Sequence, residues 1–212
     1  MSTIIALSDT HLSGPLPDGN YYYYPEQLIN LIQKADLVLH AGDFVAQKAY
    51  ENLAELCSQS GCELWAIRGN NQLQEGTNSM EKAPAIRDKA GVLLPLNMAK
   101  KWNGIKIGLM HENANNGSYN FSETVAANNA ASMVSDDTKF VGVDVLVFGH
   151  LHEPIISWSK DSIGKRRLLV CPGPGSNHAL CHKCSPAPTI ALLDIIAGNI
   201  SGAEIIRISW PK

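Results

Sequence analysis

The sequence predicts an α/β protein built on a mixed β-sheet, or on two packed sheets, flanked by helices. Three observations lead there. Short β-rich apolar runs recur along the chain, each ending in polar residues or glycine. Stretches of helical spacing separate the first three of these runs, and hairpin-type turn dipeptides interrupt the later ones. Parallel units followed by hairpins imply a sheet of mixed direction.

Residues 3–8 form the first expected strand, and apolar positions three or four apart from Pro25 to Ala35 then predict a helix. Leu37-Val38-Leu39 is the second strand, Ala46 to Cys57 the second helix and Leu64 to Ile67 the third strand, which gives β-α-β-α-β. Asn103-Gly104 sits between Trp102 and the run Ile105 to Met110, a tight-turn signal that makes the later strands antiparallel. Strands at Val145 to Phe148, Leu168-Leu169-Val170, Ile190 to Ile195 and Ile205 to Ile208 follow, the last two divided by Gly198-Asn199. Long loops are expected over Leu12 to Tyr24 and Asn113 to Asn120. The four tyrosines Tyr21 to Tyr24 pack such a loop against the domain or a second copy of the chain; the other reading is stacking on a substrate ring.

A chain of 212 residues with 45% apolar and 17% charged residues suits one compact domain over 1–212. No segment has the length of a membrane span, and the run Ile4-Ile5-Ala6-Leu7 is too short for a signal-peptide core, so a cytoplasmic location is expected. The net charge of −3 and the lack of a Lys/Arg cluster argue against stable nucleic-acid binding. Five cysteines at irregular spacings argue against a disulfide framework.

Metal-capable residues fall where these strands end. Asp9 and His11 follow the first, Asp43 the second, Asn70 the third, His111 the hairpin strand, and His150 with His152 the strand ending at Phe148. Ligands in α/β sheets bind beyond the carboxyl ends of strands, where separate loops converge. Imidazole and carboxylate donors without thiolates suit Mn, Fe, Zn or Ni, and seven donors suit two ions sharing a carboxylate, with Asp43 the natural bridge. Each residue alone is explained as well by a cap, a turn or a strand-end hydrogen bond; their joint placement is not.

The ordered segments Asp9-Thr10-His11, Gly42-Asp43, Gly69-Asn70, His111 and Gly149-His150-Leu151-His152 resemble the motifs of the calcineurin-like metallophosphoesterases. The short length and Pro172-Gly173 look most like the small stand-alone phosphodiesterase branch. This resemblance implies a four-layer α/β/β/α sandwich of two mixed sheets flanked by helices. It implies one divalent ion on Asp9, His11, Asp43 and His152, and a second on Asp43, Asn70, His111 and His150. It further implies hydrolysis of a small phosphorylated substrate by a hydroxide held between the ions. His40 is then either a support behind the ligands or a strand-end hydrogen bond. Rival readings are a non-catalytic scaffold on the same fold, such as the retromer subunit built on it, and a zinc-dependent hydrolase of amides or other esters. The segment His178 to Cys184 is rich in soft donors but matches no zinc-module spacing, so an ordinary loop is expected.

One departure bears on catalysis. Where the family places a leaving-group histidine followed by an acid, this chain has Asn71 and Gln72, neither of which donates a proton as an acid at neutral pH. Glu112-Asn113 also replaces the Gly-His pair common after His111. Aryl phosphate esters are therefore expected to be hydrolysed much faster than alkyl esters, and Asn71→His should raise alkyl-ester turnover selectively, within the roughly 10²–10⁴ range of general-acid assistance. Rates that do not vary with leaving-group pKa, under conditions where chemistry limits turnover, would refute this expectation.

Overall fold

The computed structural model describes residues 1–12, 24–69, 86–111, 138–176 and 187–210. Two five-stranded mixed sheets form its body. The first is built from Ser2–Leu7 (β1), Leu37–His40 (β2) and Glu63–Ala66 (β3), all parallel, with two antiparallel strands described below; the helices Glu26–Ile32 (α1) and Gln47–Ser60 (α2) connect its parallel members. The second holds Asn97–Trp102 (β4), Ile105–Met110 (β5), Val145–Phe148 (β6), Ile155–Lys160 (β7) and Arg166–Cys171 (β8) in the order β4-β5-β6-β8-β7. Thr189–Ile196 (β9) and Asn199–Arg207 (β10) return to the first sheet, whose order is β10-β9-β1-β2-β3.

The continuous apolar run of β1 is explained by burial on both faces. Ile5 and Leu7 pack with Leu28, Ile32 and Leu53 of the helices, whereas Ile4 and Ala6 face the second sheet. Leu37 and Leu39 of β2 join Ile107, Leu109, Val145, Val147, Leu168 and Val170 in that intersheet core. Alternate residues Leu146, Phe148, Leu169 and Cys171 point outward and pack with Phe140 and Val143. Helices thus cover the outer face of the first sheet; among the described residues, the outer face of the second is covered by the 3-10 turn Thr138–Phe140. No helix among the described residues is long and apolar enough to cross a membrane.

Both expected hairpins are present. Asn103 (φ 44°) and Gly104 (φ 90°) turn β4 into β5, and Ala197 (φ 49°) with Gly198 (φ 74°) turns β9 into β10, one residue before the expected Gly-Asn pair. The expectation of antiparallel later strands is corrected in the second sheet, where β5, β6 and β8 run parallel. The antiparallel partners β4 and β7 lie at the two edges, and β7, at Ile155–Lys160, has no counterpart in the sequence reading. Its half-wet, alternating face lacks the apolar run that marks an interior strand.

Candidate metal centre

The carboxyl ends of β1, β2, β5 and β6 open at one end of the sandwich, and there the two sheets bring Asp9, His11, Asp43, His111 and His152 together. Oδ1 of Asp9 lies 3.2 Å from Nε2 of His152, 3.8 Å from Nε2 of His11 and 3.9 Å from Nε2 of His111. Oδ2 of Asp43 lies 3.3 Å from Nε2 of His111 and 3.6 Å from Nε2 of His11. The Nε2 atoms of His11 and His152 face each other at 3.2 Å. Two triads with metal-binding geometry result, Asp9-His11-His152 and Asp9-Asp43-His111, and they share Asp9. His150 belongs to neither triad: its backbone N–H donates to both carboxylate oxygens of Asp9, and its ring stands edge-on to His111 at 5.5 Å. Asn70, Asn71, Gln72, Tyr21 to Tyr23 and His178 to Cys184 lie outside the described residues. Tyr24 is buried and donates its hydroxyl to the Ala49 carbonyl, a packing role.

Charge in this cluster is set by a contest between burial and neighbours. Burial pushes the Asp9 carboxyl up, yet the imidazoles of His111, His11 and His152 outweigh it and hold the group well below the usual carboxylate range. Burial opposes charge on His111, but Asp43 and Asp9 raise its pKa to about 10. The same opposition at His152 is overcome by Asp9, and the pKa rises. Burial dominates at His150, lowering its pKa to about 4.

The donor set fits borderline divalent cations. It offers only carboxylate oxygen and imidazole nitrogen, and the described cysteines Cys57, Cys62 and Cys171 lie outside both triads. His111 donates its Nδ1–H to the Ala41 carbonyl at 2.7 Å, which fixes the ring and directs Nε2 toward the carboxylates.

Backbone strain marks the same residues. Asp9 (φ 51°), His11 (φ 43°), Asp43 (φ 59°), His150 (φ 72°) and His152 (φ 53°) are five of the eight described non-glycine residues in the left-handed region. Asp and His tolerate it better than most residues, but each instance costs roughly 1–2 kcal/mol. Close approach of backbone to these side chains explains the glycines that precede them. A Cβ on Gly69 would collide with the carboxylate of Asp43, and one on Gly149 would lie 2.7 Å from Nδ1 of His111 and 2.8 Å from the Ala41 oxygen.

His40 is fully buried, stacked on Phe44 at 3.5 Å, and burial drives its pKa to about 3. The Gly42 N–H donates to its Nδ1, so the proton sits on Nε2 and is directed at the Thr10 hydroxyl, 3.2 Å away. That hydroxyl donates in turn to the Asp43 carbonyl. Thr10 thereby ties the first ligand turn to the second, a role the sequence reading did not assign.

A family model for the calcineurin-like phosphoesterase superfamily domain matches residues 2–198. The chain belongs to that superfamily. No curated protein matches it. Solved structures share the superfamily fold at low identity. Vacuolar Protein Sorting 29 (Vps29) from Cryptosporidium parvum is similar at TM-score 0.56 and 16% identity, over 99% of this chain and 98% of that one. Wild-type Vps29 from Entamoeba histolytica, solved in complex with Zn2+, is similar at 0.54 and 17%, over 97% and 98%. A predicted phosphoesterase from Streptococcus pneumoniae is similar at 0.50 and 15%, over 98% of both chains.

The close approach at Gly149 generates a stability prediction. Gly149→Ala should destabilise the protein by about 1–3 kcal/mol, because the neighbours it strikes are held from both sheets. Gly202→Ala, whose Cβ would meet its nearest atom at 3.4 Å, should change stability by less than about 0.5 kcal/mol. Paired urea unfolding curves check this, and equal midpoints for the two variants would refute it.

Proposed function

We propose that this chain is a dinuclear-metal-dependent phosphoesterase acting on small phosphodiesters in the cytoplasm. The observation that carries the reading is the convergence of carboxylate and imidazole donors from both sheets onto a few ångströms, at the cost of left-handed backbone at four of them, Asp9, His11, Asp43 and His152. Membership of the calcineurin-like superfamily supports the reaction class.

In this reading Asp9, His11, Asp43 and His152 hold one ion, and Asp43, Asn70, His111 and His150 the other. The approach of one Asp43 oxygen to both His11 and His111 supports it as the bridge, while Asp9, common to both triads, is the deeper anchor. Two divalent ions supply an activated water and the positive charge that in-line attack on phosphorus requires. The neutral imidazoles leave the pocket without further negative charge to repel an anionic ester. His40 is a positioning residue acting through Thr10 and Gly42, and Asn71 stands in the sequence where the family has its leaving-group histidine, with no proton to donate as an acid.

A second reading, a non-catalytic interaction protein, is favoured by the likeness to the Vps29 structures. Because one Vps29 was itself solved with Zn2+, metal binding alone does not separate the two readings; turnover does. Asp43→Asn should lower metal-dependent hydrolysis of an aryl phosphodiester by about 100-fold or more while the fold persists by circular dichroism. Absence of turnover in the unmodified protein with two ions bound supports the interaction reading. Near-normal turnover in the variant at saturating metal removes Asp43 from the centre.

Protons compete with the ions. His111, with its pKa raised to about 10, carries a proton at pH 8 in metal-stripped protein and must lose it to offer Nε2. Ion binding should therefore release protons and strengthen by up to about tenfold per pH unit for each proton released as pH rises through 7–9. Activity should fall in acid in step with metal loss. Calorimetric titrations in buffers of different ionisation enthalpy check the release; identical heats in all buffers would refute it.

A further inference from the structure

The ligand turn at Asp9-Thr10-His11 is held from one side by the turn after β2. Asp9 N–H donates to the Gly42 carbonyl and His11 N–H to the Asp43 carbonyl, both at 3.0 Å. Its other side is held by the loop after β8. The Gly175 N–H reaches the Ser8 carbonyl at 2.8 Å and the Asp9 carbonyl at 3.2 Å, and the Ser176 hydroxyl donates to the Thr10 carbonyl. Three consecutive carbonyls of the turn are thus satisfied by two consecutive residues of one loop. That loop is itself tied down. The Ser8 hydroxyl donates to the Gly173 carbonyl at 3.1 Å, and Thr189 donates its hydroxyl to the Pro172 carbonyl at 2.7 Å and its N–H to the Pro174 carbonyl at 2.8 Å. A side chain at position 175 would place its Cβ 2.6 Å from the Ser8 oxygen, so only glycine permits the approach. Ser176 is 2% exposed.

We infer that Ser176 is a positioning residue of the metal centre: through the Thr10 carbonyl it holds Asp9 and His11 in their left-handed conformations and so tunes the ion bound by Asp9, His11, Asp43 and His152. This rests on the two-ion reading above. The other ion draws also on His111 and His150, which follow β5 and β6, whereas the bonds described above run from the loop to the turn of Asp9 and His11. Loss of the hydroxyl should therefore act more strongly on one binding event than on the other.

Titration of metal-stripped protein with Co2+, followed by calorimetry and by visible absorption, tests the inference. Unmodified protein should bind two ions. Ser176→Ala should weaken one event by on the order of tenfold, the usual effect of losing a residue that orients a ligand, weaken the other less, and shift the absorption of the first ion. Ser176→Thr, which keeps the hydroxyl, should restore both. Ser8→Ala, which frees the loop at Gly173 and leaves Ser176 intact, should weaken the same event to a smaller degree and provides the test if Ser176→Ala fails to fold. Unchanged affinities in Ser176→Ala, or equal weakening of both events, overturn the positioning role with the two-ion reading still standing. Failure of the unmodified protein to bind Co2+ overturns that reading and the positioning role together.

Discussion

A fully buried carboxylate, that of Asp9, is the constraint around which the rest of this molecule is arranged. Burial alone would protonate it, and an unpaired charge in such a place costs several kcal/mol. It stays ionised because imidazoles from both sheets surround it and the His150 amide donates to both its oxygens. Neither sheet supplies enough. The first contributes Asp9, His11 and Asp43; the second contributes His111, His150 and His152. Asp9 is therefore compatible with folding only when the two sheets are packed with their strand ends in register, so the intersheet core and the polar cluster depend on each other.

Register at that depth demands close backbone approach, which is why the turns are built as they are. Ala41 N–H bonds to the Leu7 carbonyl, Asp9 N–H to Gly42 and His11 N–H to Asp43, so the first two ligand turns run alongside each other as a short irregular continuation of the β1-β2 pair. Left-handed residues at Asp9, His11 and Asp43 turn this continuation away from regular strand geometry where the ligand side chains stand. Buried hydrogen bonds of neutral His40, Thr10 and the loop at residues 173–176 offset the strain. Each is individually modest, about 0.5–1.5 kcal/mol, but together they are commensurate with the cost of the turn.

Much of this was legible in the sequence, and the illegible part has a common physical origin. Interior strands buried on both faces, such as Ile4 to Leu7 and Val145 to Phe148, announce themselves as unbroken apolar runs. Metal-capable residues just past those runs were readable because strand ends converge in such sheets. Edge strand β7, half wet and alternating, carries no such run, and parallel direction in the second sheet depends on crossovers that no local dipeptide encodes. Thr10 and Ser176 were missed for another reason: their work is done through backbone carbonyls of residues distant in sequence, and a carbonyl has no sequence signature. The central placement of Asp9 as well as Asp43 likewise comes from three-dimensional distances and not from motif order.

Likeness of fold does not decide between an enzyme and an interaction protein, because neighbours at 15–17% identity establish architecture alone. The interior bears on metal binding. A protein with no ion to hold there would gain stability from relaxing five left-handed acid and histidine positions to glycine or asparagine and from filling the cluster with apolar side chains, since buried ion clusters are often no more stabilising than hydrocarbon of the same volume. This chain does neither. Five of its eight described left-handed non-glycine residues are acids or histidines of this cluster, and Gly42, Gly69 and Gly149 yield space to a carboxylate or an imidazole. Strain of this kind persists where surrounding structure holds it for use, and here the use it supports is the binding of metal at the strand ends.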